Sequence, residues 1–220
     1  ITEATSGGTD TLSFNGSTNN VVVNLGTLGN QIINSNLTIN LTAAQVENLT
    51  GGSGNDTLLG NTLNNSLSGG NGNDTLDGGS GNDTLTGGAG NDSLTGGAGN
   101  DSYSFDTDSA LGTDTVVEAS SGGTDTLNFT NSSNNLMVNL STIGNQTVNG
   151  NLILNMTSTQ VENITGGTGN DILTGNTLNN ALSGGNGNDT LDGGSGNDTL
   201  TGGNGNDSLN GADGNDTLDS

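Results

Sequence analysis

The sequence GGNGNDTLDGGSGNDTLT occupies residues 69–86 and contains two copies of a nine-residue motif. The first six positions, Gly-Gly-x-Gly-Asn-Asp, place glycines where the backbone can adopt positive φ and turn tightly. The next three residues, such as Thr75 to Asp77, suffice for a minimal strand whose middle side chain, Leu76, faces the interior. A turn and a strand in every nine residues predict a solenoid of very short strands.

The motif recurs in register along two parts of the chain, residues 51–104 and 166–219. Ten well-formed copies make a chance match negligible, and they begin at Gly51, Gly69, Gly78, Gly87, Gly96, Gly166, Gly184, Gly193, Gly202 and Gly211. One further copy of the motif in each part is degenerate, because Asn65 and Asn180 occupy the position where the other copies have aspartate. Residues 18 apart are predicted to stack on one sheet, which makes the core a thin ladder of leucines.

A longer repeat of 115 residues contains the short one, since residues 46–48 match residues 161–163 at that offset. We interpret the chain as two tandem units, 1–105 and 116–220, with a joint at 106–115. Further copies are expected to flank these two.

The first part of each unit, 1–50 and 116–165, lacks the nonapeptide but keeps short apolar patches. In the first unit these patches are 11–14, 21–25, 37–41 and 46–49. Aliphatic and β-branched runs of this length, without a helical period, predict short strands. We therefore expect wider coils of the same solenoid, and a polar linker between separate rolls is the alternative.

The composition excludes several classes of function. The 220 residues include 23 acidic side chains but no Lys, Arg, His or Cys, so the net charge is -23. Nucleic acids and anionic membranes would repel such a chain, and no apolar run approaches the roughly 18 to 20 residues of a membrane span. Nucleophilic triads have no base, and only 2% of residues are aromatic, which disfavours a sugar-cleaving site. We expect no enzyme activity.

Stacked coils would place Asp56 over Asp74, and Asp74 over Asp92, with no basic side chain to neutralise them. One buried leucine per nonapeptide offsets only part of the cost of ordering nine residues. A divalent ion between the carboxylates is therefore predicted. Calcium fits best because every available ligand is an oxygen, and its binding should coincide with folding.

The nonapeptide resembles the calcium-binding repeat of the RTX (repeats-in-toxin) family of haemolysin-type proteins. The resemblance implies an all-β chain forming a right-handed parallel β-roll, or β-solenoid, with two nonapeptides per turn and several Ca²⁺ ions per unit. In the first unit it implies ions between Asp56 and Asp74, Asp74 and Asp92, and Asp83 and Asp101. In the second unit the corresponding pairs are Asp171 with Asp189, Asp189 with Asp207, and Asp198 with Asp216.

Loop carbonyl groups beside these carboxylates complete the ligand set that the resemblance implies. They belong to Gly51, Ser53, Gly69, Gly70, Asn71, Gly72, Gly78, Ser80, Gly88, Gly90, Gly97, Gly99, Gly166, Thr168, Gly184, Gly185, Asn186, Gly187, Gly193, Ser195, Gly203, Gly205, Ala212 and Gly214. Asn65 and Asn180 put an ion against the degenerate lines in doubt, because an amide oxygen is a weaker ligand than a carboxylate.

Asp10, Asp114 and Asp125 occupy Gly-Thr-Asp-Thr turns in the longer coils. They are weaker calcium candidates, with a solvated Asx turn as the equal alternative. Three aspartates are expected to be surface charges: Asp77, Asp192 and Asp219. No clear partner is predicted for the glutamates Glu3, Glu47, Glu118 and Glu162. The aromatic side chains are expected to pack in the core: Phe14, Tyr103, Phe105 and Phe129.

Two functions fit these features. The first is a calcium-binding structural repeat of a secreted bacterial surface adhesin, matrix protein or extracellular filament. Near-identical tandem units favour it, because each solenoid repeat buries its apolar ends against copies of itself. The alternative is the C-terminal module of an RTX exoenzyme or toxin, which leaves the cell by type I secretion and folds outside. Both functions predict an extracellular or cell-surface location.

Overall fold

The computed structural model describes residues 8–42, 45–118 and 122–220, and this part of the chain contains strands and turns without a helix. The strands up to the end of the first nonapeptide block are β1 (Thr11–Ser13), β2 (Val22–Asn24), β3 (Gly29–Asn34), β4 (Leu37–Leu41), β5 (Asn48–Thr50), β6 (Thr57–Asn61), β7 (Ser66–Asn71), β8 (Thr75–Ser80), β9 (Thr84–Ala89), β10 (Ser93–Ala98) and β11 (Ser102–Ser104). They are followed by β12 (Gly112–Val117), β13 (Thr126–Asn128), β14 (Met137–Asn139), β15 (Gly144–Thr147), β16 (Leu152–Met156), β17 (Asn163–Thr165), β18 (Ile172–Thr174), β19 (Ala181–Asn186), β20 (Thr190–Asp192), β21 (Thr199–Asn204), β22 (Ser208–Asn210) and β23 (Thr217–Asp219).

The largest sheet contains ten parallel strands in the order β1-β5-β7-β9-β11-β13-β17-β19-β21-β23. Strands of two further sheets alternate with it along the sequence. One holds β2, β6, β8, β10, β12 and β16, completed by β15, and the other holds β14, β18, β20 and β22. This alternation of parallel strands confirms the predicted all-β parallel roll.

Leucines of successive coils stack in register and form the predicted ladder. Leu58 pairs with Leu76 and Leu76 with Leu94, while Leu67 pairs with Leu85 on the ten-stranded sheet. All five are fully buried and belong to one apolar cluster. The 18-residue spacing thus sets both the strand register and the core.

Aromatic side chains continue the core through the joint between the units. Tyr103 pairs with Leu85 on one side and Leu127 on the other, and it is fully buried. Phe105 and Phe129 stack with ring centroids 5.3 Å apart. These residues pack in the core, as the sequence predicts.

The segments without the nonapeptide also contribute strands to the sheets, as β1, β5, β13 and β17 show. Each unit also has an antiparallel hairpin, β3–β4 or β15–β16, where the sequence predicts a wider parallel coil. The Gln31 side chain fastens the first hairpin to both backbone groups of Asn24, and Gln146 does the same at Asn139. The chain therefore accommodates its extra residues by folding back. Predictions for residues 1–7, including Glu3, lie outside the described residues.

Close stacking of the turns predicts a large effect for Gly88→Ala. Gly88 has φ of 105°, and a Cβ there would collide with the carbonyl oxygen of Gly70 in the preceding coil. We expect the substitution to lower the free energy of unfolding in calcium by about 2 kcal/mol or more, measured by urea titration. Gly16→Ala is the matched control, since nothing lies within 4 Å of a Cβ there. Equal stability of the two variants would contradict the stacking argument.

Candidate calcium sites

The first glycine of each nonapeptide makes room for the aspartate carboxylate five residues later. A Cβ on Gly69 would collide with Oδ2 of Asp74, and one on Gly78 would collide with Oδ2 of Asp83. Because glycine lacks a Cβ, each aspartate can fold back into its own turn. Successive turns therefore align their carboxylates in columns.

The first column joins the aspartates that the sequence predicts as pairs. Oδ1 of Asp74 accepts a hydrogen bond of 2.7 Å from the Asp56 amide, and Oδ1 of Asp92 accepts one of 2.8 Å from the Asp74 amide. The Asp92 amide donates to Oδ1 of Asp114 at 3.0 Å. Asp114 is thus a member of this column, and its carboxylate bonds 22 residues away instead of closing a local Asx turn.

The second column follows the same rule. The amides of Asn65 and Asp83 donate to Oδ1 of Asp83 and Asp101, at 2.6 and 2.8 Å. The Asp101 amide then donates to Oδ1 of Asp125 at 2.8 Å. Asp125 therefore extends this column across the joint into the second unit.

The second unit repeats both columns. In each predicted pair, Oδ1 of the later aspartate accepts from the amide of the earlier one, which links Asp171 to Asp189, Asp189 to Asp207, and Asp198 to Asp216. All three predicted pairs of this unit are therefore adjacent in the structure.

The other carboxylate oxygen of most column members is buried without a hydrogen-bond partner. These Oδ2 atoms belong to Asp74, Asp83, Asp92, Asp101, Asp189, Asp198 and Asp207. A buried anionic oxygen without a partner is strongly unfavourable unless a cation neutralises it. Since the described residues contain no basic side chain, this donor set fits a hard divalent cation that takes oxygen ligands.

Asp56 and Asp171 lie at one end of their columns and have both oxygens occupied. Asp56 accepts from the amides of Val21 and Gly52, and Asp171 accepts from those of Leu136 and Gly167. Of the predicted carboxylates, these two are consequently the most fully satisfied by the protein itself.

In the two degenerate copies of the nonapeptide, the asparagine side chains form hydrogen bonds with other groups of the protein. Oδ1 of Asn65 accepts from the Asn61 amide at 2.8 Å, and Nδ2 donates to the Glu47 carbonyl at 2.9 Å. Asn180 makes the equivalent bonds to Asn176 and Glu162. Hydrogen bonds therefore occupy both ends of each asparagine amide group, and the weaker ion site expected there stays a prediction.

Predicted carbonyl ligands lie where successive turns meet. The carbonyl oxygens of Gly70 and Gly72 occupy the space that a Cβ on Gly88 and on Gly90 of the next coil would need. Ala212, which replaces the second glycine of the last line, keeps the positive φ of that position at 64°. Carbonyl and carboxylate oxygens thus occur together between coils, and the individual carbonyl assignments stay predictions.

Burial shifts the acidity of the columns. It raises the pKa of Asp74 to about 7, opposed by the hydrogen bond from the Asp56 amide and reinforced by repulsion from Asp92. Burial also raises the pKa of Asp83 to about 6 and that of Asp114 to about 7. It shifts the pKa in the same direction at Asp92, Asp101, Asp171 and Asp189. Without a cation, these seven aspartates are therefore protonated more readily in the fold than an ordinary carboxyl group.

These shifts predict that protons compete with calcium. The pKa of Asp74 in the metal-free fold rises from 3.8 to about 7, so that fold loses stability as the pH rises through this window. Calcium needs the ionised carboxylate, so protons and calcium compete for the folded columns. In the coil the same carboxyl group keeps the ordinary pKa of 3.8, and the calcium midpoint of folding should therefore change little between about pH 7 and about pH 5. The metal-free chain should instead gain β structure as the pH falls from about 7 toward about 4, which circular dichroism in chelator at constant ionic strength would show. A metal-free spectrum that stays the same over this range would contradict the raised pKa values.

Some functional positions escape prediction from the sequence. Glu47 and Glu162 have partners after all, because each accepts a hydrogen bond of 2.8 Å from an aspartate amide, that of Asp10 or Asp125. Glu118 also has a partner, since it accepts a hydrogen bond from the Tyr103 hydroxyl. Of the aspartates predicted as surface charge, Asp219 is exposed, whereas Asp77 and Asp192 are half-buried.

Comparison with known families agrees with this geometry. In the part of the chain that the structure describes, no helix has the length and apolar character needed to cross a membrane. A search among curated proteins finds no match. The RTX calcium-binding nonapeptide repeat matches four times, at residues 50–85, 77–109, 158–191 and 183–218, which together cover more than half of the chain. With its stacked aspartate turns and parallel coils, the chain belongs to the RTX calcium-binding repeat family.

Proposed function

We propose that this chain is a structural repeat of a secreted bacterial surface adhesin, matrix protein or extracellular filament, made rigid by calcium between its coils. The observation that carries the proposal is the ten-stranded sheet that runs through both units. β11 pairs with β13 and β13 with β17, so the ladder continues across the joint. A solenoid with such continuity acts as a rod, since each coil is held by its neighbours.

Calcium would supply the crosslinks of this rod. The ions would lie between successive aspartates of each column, from Asp56 to Asp92 and from Asp83 to Asp101, with loop carbonyl groups as further ligands. The second unit would use Asp171, Asp189 and Asp207, together with Asp198 and Asp216. Each ion would neutralise carboxylates of two coils and hold those coils together, so several ions per unit would stiffen the whole length.

The proposed partners are calcium and further copies of the same unit in a tandem or head-to-tail array. RTX repeats are typical of secreted proteins, and we propose an extracellular or cell-surface location reached by type I secretion. The β-roll is a structural calcium-binding fold and not a catalytic one, which agrees with the mechanical role. A module that folds after secretion and assists an attached toxin or exoenzyme would use the same chemistry, and only the attached domains separate the two functions.

The complete gene and the native protein together test this proposal. We expect the gene to encode many units of about 115 residues, and high-resolution imaging of the native assembly to show a continuous rod with that unit as its period. An enzyme or toxin domain joined to a single short array, with isolated monomers in solution, would overturn the structural function in favour of the secretion module.

A further inference from the structure

A cluster of three carboxylates lies at the joint between the two units. Asp101 is the last aspartate of the first nonapeptide block, Glu118 follows β12, and Asp125 precedes β13. One oxygen from each comes within 4.8 Å of the others, and all three residues are buried. Asp101 and Asp125 are neighbours in the second column, and Glu118 adds a third carboxylate that the other aspartate pairs of the columns lack.

The protein fixes the three side chains but leaves two of them unsatisfied. Oδ1 of Asp101 accepts from the Asp83 amide at 2.8 Å, Oδ1 of Asp125 accepts from the Asp101 amide at 2.8 Å, and Oε1 of Glu118 accepts from the Tyr103 hydroxyl. Oδ2 of Asp101 and Oε2 of Glu118 have no hydrogen-bond partner. Asp101 is 2% exposed and Glu118 is 7% exposed. Two buried carboxylates therefore present unpaired oxygens at the cluster.

The attraction of the cluster for a cation depends on the charge of its three carboxyl groups. Burial raises the pKa of Glu118 to about 8, opposed by the Tyr103 hydrogen bond and reinforced by repulsion from Asp125. The Glu118 and Asp125 carboxyl groups also lie close enough to share a hydrogen bond when one of them is protonated. When all three carboxyl groups of the cluster are ionised, their burial and mutual repulsion carry a penalty. A cation at the cluster would remove this penalty.

We propose that Asp101, Glu118 and Asp125 bind a calcium ion that clamps the first unit to the second. The first unit provides Asp101, and the second provides Glu118 and Asp125. Three side-chain carboxylates bring more negative charge than the pairs along the columns, and calcium affinity increases with ligand charge. This site is therefore expected to fill before the column sites. The inference goes beyond the rod-like function, because the clamp would order the joint in any protein that contains it.

Tyr103 provides a direct optical readout of this site. It is the only tyrosine of the chain, tryptophan is absent, and its hydroxyl contacts Glu118. Terbium(III) prefers oxygen ligands as calcium does, and it luminesces when an adjacent excited tyrosine transfers energy to it. We expect the full chain to show tyrosine-sensitised emission at the lowest terbium additions, and calcium to displace it.

Glu118→Gln tests the assignment, because glutamine keeps the length of the side chain and an oxygen for the Tyr103 hydroxyl. At the terbium concentration that half-saturates the unmodified chain, a tenfold loss of affinity lowers emission by roughly fivefold. We expect at least that loss, while the calcium-induced β spectrum remains. Glu47→Gln, the same change at a glutamate outside the cluster, should leave the emission unchanged.

A second comparison separates the clamp from the neighbouring column ion between Asp83 and Asp101. Asp83→Asn removes a carboxylate of that column but none of the cluster, and the proposal expects sensitised emission to persist. If Glu118→Gln fails to give a β spectrum in calcium, Asp125→Asn replaces it under the same criterion. Full emission after Glu118→Gln, or its loss only after Asp83→Asn, would overturn the clamp and leave the proposed rod-like function untouched.

Discussion

In excess chelator the full chain is expected to give the circular dichroism spectrum of a coil, and calcium is expected to convert it to a β spectrum with a midpoint on the order of 10⁻³ M. The reason is the column of aspartates. Seven aspartates of the two nonapeptide blocks bury an Oδ2 atom without a partner, in a chain of net charge -23 with no basic residue. One leucine per nonapeptide is too little apolar burial to offset that cost.

Magnesium is the appropriate control for this transition. It prefers a tight octahedral shell and retains water, whereas the oxygens between coils suit a larger ion with six to eight ligands. We therefore expect the same concentration of magnesium to leave most of the chain in the coil state. A β spectrum that persists in chelator would show that the leucine ladder holds the roll unaided, and would remove the basis for every calcium site described above.

The nonapeptide allowed much of this architecture to be predicted, because its information is local and periodic. Glycines at the turn and a leucine eight residues into each line define one strand per nonapeptide, and the 18-residue coil follows from two of them. Leu58, Leu76 and Leu94 stack in this register. The aspartates stack for the same reason, since they share the period.

The 18-residue period does not predict the positions of Asp114 and Asp125 in the columns. They join the columns at separations of 22 and 24 residues instead of 18, because the coils before them contain extra residues. The signal was nevertheless present, since Gly-Thr-Asp-Thr matches the Gly-Asn-Asp-Thr end of the nonapeptide. Gly112 stacks on Gly90 as the fourth-position glycines stack on one another. This shorter motif made both aspartates weaker calcium candidates, but without the first two glycines of the nonapeptide it did not distinguish a column position from a solvated Asx turn.

The hairpins and the hydrogen-bond partners of the glutamates were harder to predict. Strands β3 and β4 pair antiparallel across two residues, and nothing in their composition distinguishes that pairing from a wide parallel coil. Glu47 and Glu162 each bind an aspartate amide 37 residues earlier in the sequence. These contacts join residues at opposite ends of a long coil, so they depend on the path of the chain between them. The sequence of that segment has no repeat period from which the path could be predicted.

The second large effect is expected for Asp74→Asn, because Asp74 lies inside its column, between Asp56 and Asp92. Its carboxylate would be shared by the proposed ions on either side, toward Asp56 and toward Asp92. An amide can replace this group only where partners exist, as at Asn65, whose Nδ2 donates to the Glu47 carbonyl. Oδ2 of Asp74 has no such partner, so the substitution would bury an unpaired NH₂ group as well as remove a ligand.

We therefore expect Asp74→Asn to raise the calcium midpoint of folding by about tenfold or more, which corresponds to roughly 1.4 kcal/mol or more. Asp77→Asn makes the same change of charge three residues later, at a half-buried position outside the columns. Its midpoint should stay within about twofold of the unmodified chain, as for most surface substitutions. Calcium titrations of both variants by circular dichroism separate a specific ligand from general charge reduction. Identical calcium midpoints would mean that both substitutions act only by lowering the net charge. That result would contradict the bridging role of Asp74.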